Sequence, residues 1–428
     1  MKSRALPGTS LELAVNITLA LAGFVLVWYL YYFHPVGYVY FITEDYWIEW
    51  ATLVAYAVAF GLLVWALFEQ KALRKPGYFL LALAAFFVGM EEISWGQRIL
   101  GLRPPHFIAA QNLKGEINLH NFIPPYHSYL WILGIVLLVW SVLLPCLVQR
   151  SIWVGRFCAQ LGIPIVPIPL WPFFFLVSYF TFFVRFPRWT EAMEGYLAIA
   201  IAVLSLDLAL TARHGAPVRG IRGMVATGTM LLTVWTLTAL LVHFFPWPQE
   251  LQRYLNRFAA IDYPSRGMLR QAELLVDYMN QNPQFMQSDT HLHHGELLMR
   301  LGRHAEAKKV LELAMAEQEQ LQQRDPEDPV PHRMAGRILT VLGRPSEAQR
   351  AFLVAMEKDR ARLDRAEDAA AKSSAHWSLG ETLFAMGDSE GGFKEFSIAR
   401  GLAQDRRTRR RMDYLMHHQR QPKHAVAE

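Results

Sequence analysis

Between residues 11 and 245 the chain returns seven times to an apolar run of about twenty residues, the length that crosses a ~30 Å hydrocarbon core as a helix. No other feature constrains the fold so strongly, because a backbone in lipid must pair all its polar groups internally. The runs lie at 11–33, 46–68, 77–98, 127–148, 165–184, 190–212 and 224–245. The expected class is therefore all-α, with a polytopic membrane helix bundle of about seven spans over 1–245. The fifth run is crowded by Pro164, Pro167, Pro169 and Pro172, which predicts a broken or re-entrant helix packed against its neighbours. The first run follows Met1-Lys2-Ser3-Arg4 and contains Ala20-Leu21-Ala22, as a cleavable signal would. It continues to Phe33, so an uncleaved span is expected.

Basic residues fall on alternate loops. Lys2 and Arg4 precede the first run. Lys71, Arg74 and Lys75 follow the second, Arg150 and Arg156 the fourth, and Arg213, Arg219 and Arg222 the sixth. The opposite loops hold Arg103, Lys114, Arg185 and Arg188. The positive-inside rule puts the richer set in the cytoplasm. Seven crossings then leave the C-terminal region outside, in the periplasm of a bacterial inner membrane; a re-entrant fifth segment would bring it inside. Cys146 and Cys158 fall near the cytoplasmic face, where thiols stay reduced.

A mean hydropathy of +0.16 averages two unlike halves, and the break falls near Pro246–Pro248. Beyond it three stretches superpose. Gly295, Gly336 and Gly380 are each followed seven residues later by Gly302, Gly343 and Gly387. Then come Ala307, Leu311 and Ala314; Ala348, Phe352 and Ala355; and Gly392, Phe396 and Ala399. Gly267, Ala272 and Met279 form a weaker fourth copy. Small residues where two helices touch, a turn glycine and a large apolar filler make the pattern of the tetratricopeptide repeat, so 246–405 is expected to be an α-solenoid. The spacings of 41 and 44 residues exceed that repeat's usual length, and the excess is expected in the second helix and the loop after it, as at Glu317–Asp328, with Asp325-Pro326 and Pro329–Pro331 marking that loop. A basic helix and tail, 406–428, close the chain. His291, His293 and His294 read as solvated.

The polar residues of the apolar half gather at the ends of the runs expected outside. Gly89-Met90-Glu91-Glu92-Ile93-Ser94-Trp95-Gly96-Gln97-Arg98 ends the third, and adjacent carboxylates in such a helix suggest a functional site. If helical, this stretch puts Glu91, Trp95 and Arg98 on one face, with Ser94 and Gln97 beside them. Gly115-Glu116-Ile117-Asn118-Leu119-His120-Asn121 follows; as a helix it sets Glu116 and His120 one turn apart, a spacing for metal ligands or an acid–base pair. Glu191 and Glu194 open the sixth run, where the helix dipole alone also favours them. Glu44 and Asp45 precede the second. One shared site is expected, with Glu91, Glu92 and His120 as catalytic candidates. Glu91, Glu92, Glu116, His120, Glu191 and Glu194 would be ligands for a divalent Zn, Mn or Fe ion, supported by Ser94, Gln97, Arg98, Asn118 and Asn121.

The runs EEISWGQR and GEINLHN, with EDxxxEW before and a Glu pair after, resemble a signature of uncharacterised bacterial multi-pass membrane proteins over residues 40–210. The resemblance implies a shared polar site and no particular activity. A fainter likeness is to the seven-span hydrolases of the alkaline ceramidase superfamily, which implies a zinc site of several His; the last span here carries only His243. No phosphate-cradling loop, nucleophile elbow, HExxH or CxxC is present, and no nucleic-acid module. The expected function is a membrane-anchored binding and assembly protein whose partners are the lipid bilayer and proteins of the cell envelope. The alternative is a membrane-embedded enzyme acting on a lipid-linked substrate at the outer interface.

Overall fold

The computed structural model describes residues 9–43, 46–69, 76–112, 114–122, 127–184, 187–245, 248–287, 289–406, 408–410, 412, 413 and 416. Among these every regular element is helical. The chain divides into two compact units, Met1–Arg103 with Asn118–Leu251, and Pro104–Ile117 with Gln252–Glu428. The division thus falls a few residues beyond the composition break, and it gives one loop segment of the apolar half to the second unit.

The first unit runs α1 (Thr9–Phe33), α2 (Pro35–Ile42), α3 (Trp47–Glu69), α4 (Pro76–Glu92) and α5 (Gln97–Leu100). After the second-unit helix α6 (His106–Gln111) come α7 (His127–Leu138), α8 (Leu144–Arg150), α9 (Ile152–Leu161), α10 (Trp171–Phe183), α11 (Trp189–His214) and α12 (Ile221–Phe244). Five of these segments are long and apolar enough to cross a membrane: Ser10–Phe33, Trp47–Glu69, Trp131–Arg150, Trp189–His214 and Ile221–Phe244. The other two runs make shorter helices. α4 has 17 residues, and α10 has 13 behind a single 3₁₀ turn at Ile168–Leu170. The prolines do break the fifth run, and its extended part is buried at Val166. α7 and α8 form one continuous rod through a π-turn at Val139–Leu143. Pro145 has no N–H and its ring would strike the Ser141 carbonyl in a regular helix; the wider turn removes that clash.

α3 and α11 share the broadest face, built from small side chains. Ala192, Ala198, Ala202, Ser205 and Ala209 of α11 are buried, as are Ala55, Ala59 and Ala66 of α3. A Cβ on Gly195 would fall inside the Ile48 side chain, so only glycine permits the approach. This is how helices pack where lipid gives no hydrophobic drive. Large apolar groups face outward instead, Phe33 at 72% and Ile221 at 70% exposure, the reverse of a water-soluble domain.

Side-chain neighbours fix the two ends of this unit. The loop at Gly162–Ile163 meets Gly77 at the start of α4, and Trp140 of the α7–α8 rod donates to the Pro164 carbonyl at 2.9 Å. Arg150, Arg156, Arg213 and Arg219 belong to this basic end. At the opposite end Gly89 lies against Tyr56 and Leu53, and Gly195 against Ile48. There Tyr38 donates to the Pro187 carbonyl at 2.6 Å, and the tilted Trp50 and Phe245 rings lie 5.6 Å apart. α10 runs alongside α1 from the Asn16–Pro169 hydrogen bond, 2.8 Å, to the Phe24–Phe180 ring pair.

The second unit continues with α13 (Pro248–Arg257), α14 (Leu269–Gln281), α15 (Thr290–Arg300), α16 (His304–Arg324), α17 (Pro329–Val341), α18 (Pro345–Asp364), α19 (Ala369–Ala385) and α20 (Ser389–Leu402). α15–α16, α17–α18 and α19–α20 are antiparallel hairpins closed by Gly302, Gly343 and Gly387, all left-handed at φ 75, 73 and 92°. In each, the first-helix glycine sits against the large residue sixteen positions later: Gly295 on Leu311, Gly336 on Phe352, Gly380 on Phe396. Gly267 (φ 73°) opens α14 in the same register, with Ala272 and Met279 fully buried. The extra length lies in the second helices, 21 residues in α16 and 20 in α18. Pro329 and Pro331 belong to the first turn of α17 and not to the loop: Asp328 caps that helix, and proline is tolerated where the N–H would be orphaned anyway. First helices of successive hairpins touch: Arg337 of α17 reaches Glu296 of α15 at 3.4 Å, and Arg333 reaches Glu381 of α19 at 2.7 Å. Beyond α20, Met412 packs on Ala399, Ala403 and Trp377.

The histidine triplet is not solvated. His294 is buried beside Gly295 on the packing face of α15, and burial pushes its pKa down. Burial also opposes charge on His293, but hydrogen bonds to Asp289 (3.2 Å) and Glu296 (3.3 Å) outweigh it and raise the imidazole to about 9. A raised folded pKa stabilises fully below the unfolded value of 6.5 and is lost as pH rises through about 9. Because both carboxylates are over a third exposed, the contribution is discounted to about 1–2 kcal/mol. The second unit should lose that stability between these pH values, and His293→Ala should flatten this decline in urea melts. An unchanged slope in the variant would show that His293 is not charged there.

Candidate functional site

α4 is regular as far as Glu92 and then stops. Ser94, Trp95 and Gly96 all take left-handed backbone, at φ 47, 57 and 75°. For Ser and Trp this conformation costs about 1–2 kcal/mol each, so something must hold it. Glu91, only 6% exposed, is the clasp. Its Oε1 accepts the Trp95 indole N–H at 2.6 Å, and its Oε2 accepts the Leu119 backbone N–H at 2.6 Å. Asn118, also buried, donates to Ser94 Oγ at 2.9 Å. The Trp95 ring stands edge-on to Phe87 and Phe86. The two motifs EEISWGQ and NLHN are thus tied together by one carboxylate, one indole and one amide.

The expected helical faces are corrected here. Ser94–Gly96 form a single 3₁₀ turn with left-handed backbone, so Glu91 and Trp95 meet across that turn and not one turn apart on a regular helix. Ile117–Leu119 is not helical, and only His120–Phe122 makes a 3₁₀ turn, so Glu116 and His120 do not share a helix face. Glu116 is buried in the second unit, its N–H accepted by Asn112 Oδ1 at 3.1 Å. The side chains of Arg98 and His120, and all of Glu44 and Asp45, lie outside the described residues.

Glu92, Gln97, Asn121, Glu191 and Glu194 also belong to the first unit. Glu92 ends α4 and Glu194 lies in the second turn of α11. Glu191 pairs with Arg188 at 2.9 Å, and Arg188 itself is left-handed at φ 60° just before α11. Gln97 opens α5 and Asn121 is buried in the 3₁₀ turn. Among the described residues no three His, Cys, Asp or Glu side chains stand close enough together to hold a metal ion.

A second polar group, at the basic end, escaped the sequence reading. Glu12 of α1 is 4% exposed. Its carboxylate accepts the Gly220 N–H at 3.2 Å and lies 3.8 Å from Arg219, which also pairs with Asp207 of α11. The available signal was an acidic residue inside each of two apolar runs, which is unusual enough to mark a site.

No protein-family model matches this chain, and no curated protein matches it. The geometry therefore carries the functional argument alone. Glu91→Gln tests the clasp. The amide oxygen can replace one acceptor, but its NH₂ must face the other donor, leaving a buried N–H unpaired at about 1–3 kcal/mol. The variant should melt earlier in detergent, with altered tryptophan fluorescence. An unchanged melt would mean that the carboxylate does not hold the turn.

Proposed function

We propose that this chain is an integral protein of a bacterial inner membrane that presents a stack of tetratricopeptide-type hairpins to protein partners of the cell envelope. The observation that carries the reading is the repeated register of the second unit. The same glycine–filler pair and the same left-handed turn glycine recur in three hairpins, and the first helices line up side by side. Such stacks leave one continuous face of first helices for an extended partner. Arg337, Glu296 and Glu381 on that face are partly exposed, which suits a charged peptide.

The reading includes seven crossings and an outer C-terminal unit. In its support, α4 and α10 each join the basic end of the first unit to the acidic end, although each is short, and buried neighbours surround the irregular start of α10. The basic end carries the arginines expected inside.

A photoreactive residue placed at Arg337 in intact cells should yield a discrete adduct with a protein. The same residue at Leu313, exposed on a second helix, should not. Charge reversal at Glu296 should remove the Arg337 adduct. Equal labelling from both positions, or none, would remove this reading. An enzyme acting on a lipid-linked substrate is favoured by a different observation, the strained Ser94–Trp95 turn around the buried Glu91 carboxylate, since such strain gathers at working sites. It requires that Glu91 variants which fold normally still lose function.

A further inference from the structure

α9 is a ten-residue helix with an unusual distribution of exposed side chains. Ser151 caps its start, accepting the Val154 N–H at 3.4 Å, and Gly162 stops it with left-handed backbone at φ 60°. Both ends are thus fixed. α8 delivers the chain to the basic end of the first unit, and the Gly162–Pro164 turn hands it to the element that returns through α10. A helix that joins two crossing elements at the same end, without itself crossing, runs over that end.

Its surface is divided by chemistry except at its first residue, where Ile152 is 65% exposed on the side opposite the Trp153–Phe157–Leu161 stripe. Cys158, 3% exposed, and the half-buried Val154 face the unit. Trp153, Phe157 and Leu161 are 75, 57 and 38% exposed. At about 100° per residue they form one stripe over roughly 80° of the helix, next to the buried face. Ala159 lies roughly 160° from Phe157 around the helix. Arg156 sits beside the stripe with its guanidinium 5.8 Å from the Trp153 ring, and Arg150 is exposed one residue before the cap. In water this stripe would leave three large apolar side chains unburied. At a bilayer surface each part has a partner: acyl chains for the stripe, headgroup level for the indole, phosphates for the arginines.

We propose that α9 lies in the plane of the membrane at the basic end, its Trp153–Phe157–Leu161 stripe among acyl chains and Arg150 and Arg156 on the phosphates of anionic lipids. The inference rests on the proposed reading that the first unit spans a bilayer. It adds a surface-lying element, and a lipid class, that spanning alone does not require. The occupant is lipid because the stripe carries cationic groups at its edge and belongs to a unit whose long apolar helices also expose large apolar side chains.

The test uses the full chain in vesicles, with Cys146→Ser and Cys158→Ser as background; Cys158→Ala serves if serine is not tolerated at that buried position. Nitroxide labels go on Trp153→Cys, Phe157→Cys and Ala159→Cys, with Leu232→Cys on α12 as reference. Collision with oxygen should exceed collision with a water-soluble nickel chelate severalfold at 153 and 157, and the order should reverse at 159. Adding phosphatidylglycerol to phosphatidylcholine vesicles should raise the oxygen-to-nickel ratio at 157, and Arg150→Gln with Arg156→Gln should abolish that rise. Nickel access at 157 equal to that at 159 would place the helix in water and overturn the proposal. Low access to both reagents at 157 would mean a protein cover and overturn it equally. No response to phosphatidylglycerol would overturn the lipid assignment. If the label at 232 is itself open to nickel, the spanning reading fails as well, which separates the two.

Discussion

Arg219→Ala should destabilise the first unit by about 3–5 kcal/mol, the cost of leaving buried charge without its partner. The side chains of Glu12, Asp207 and Arg219 are 6, 13 and 11% exposed. Two carboxylates there depend on one guanidinium and on the Gly220 N–H. The expected result in detergent is a protein that melts far below the parent. Glu12→Gln combined with Asp207→Asn should recover much of the loss, because neutral amides need no counter-charge. Arg219→Lys should fall between, since an ammonium restores charge but not the two-sided reach of a guanidinium. A parent-like melt for Arg219→Ala would show that the carboxylates carry no charge needing Arg219. No rescue by the double amide would show that the arginine matters through packing.

Gly336→Arg should strongly destabilise the second unit. A Cβ at Gly336 would already stand 2.5 Å from Phe352 Cδ1 and Cε1, so a long side chain must push the two helices of the hairpin apart. Overpacking of this kind costs about 1–3 kcal/mol or more. The effect should appear as faster amide exchange across α17 and α18 in the full-length protein, with the first unit unaffected. Gly343→Ala is the contrast. Nothing lies within 4 Å of a Cβ there, so its cost is only that of the left-handed backbone, about 1–2 kcal/mol. Equal protection in Gly336→Arg and the parent would rule out close contact between these helices.

The contrast between long apolar helices and polar helical hairpins was legible because the two demand different residues along each helix. The hairpin register was legible because helix contacts admit only small residues at fixed offsets, and those glycines are visible in the sequence. The break after Glu92 was not, since Ser and Trp seldom accept left-handed backbone and only Gly96 announces a turn. The union of Glu91 with Asn118 and Leu119 was anticipated as a shared site, but through helix faces that do not exist. The Glu12 group was missed because its ends lie 208 residues apart and Arg219 looked like an ordinary loop charge. The histidines misled because polarity suggested solvent, whereas their place beside Gly295 puts His294 on a packing face.

Met412 has a consequence out of proportion to its size. A stack whose members hold only their neighbours behaves like a zipper, and a zipper opens from its free tab. Here the tab is a methionine lying across Ala399, Ala403 and Trp377. Clipping the chain just before it would bare the outer wall of the last hairpin and let fraying travel inward, one hairpin at a time. A protease that removed Met412 would therefore loosen the hairpins of the second unit from α20 inward.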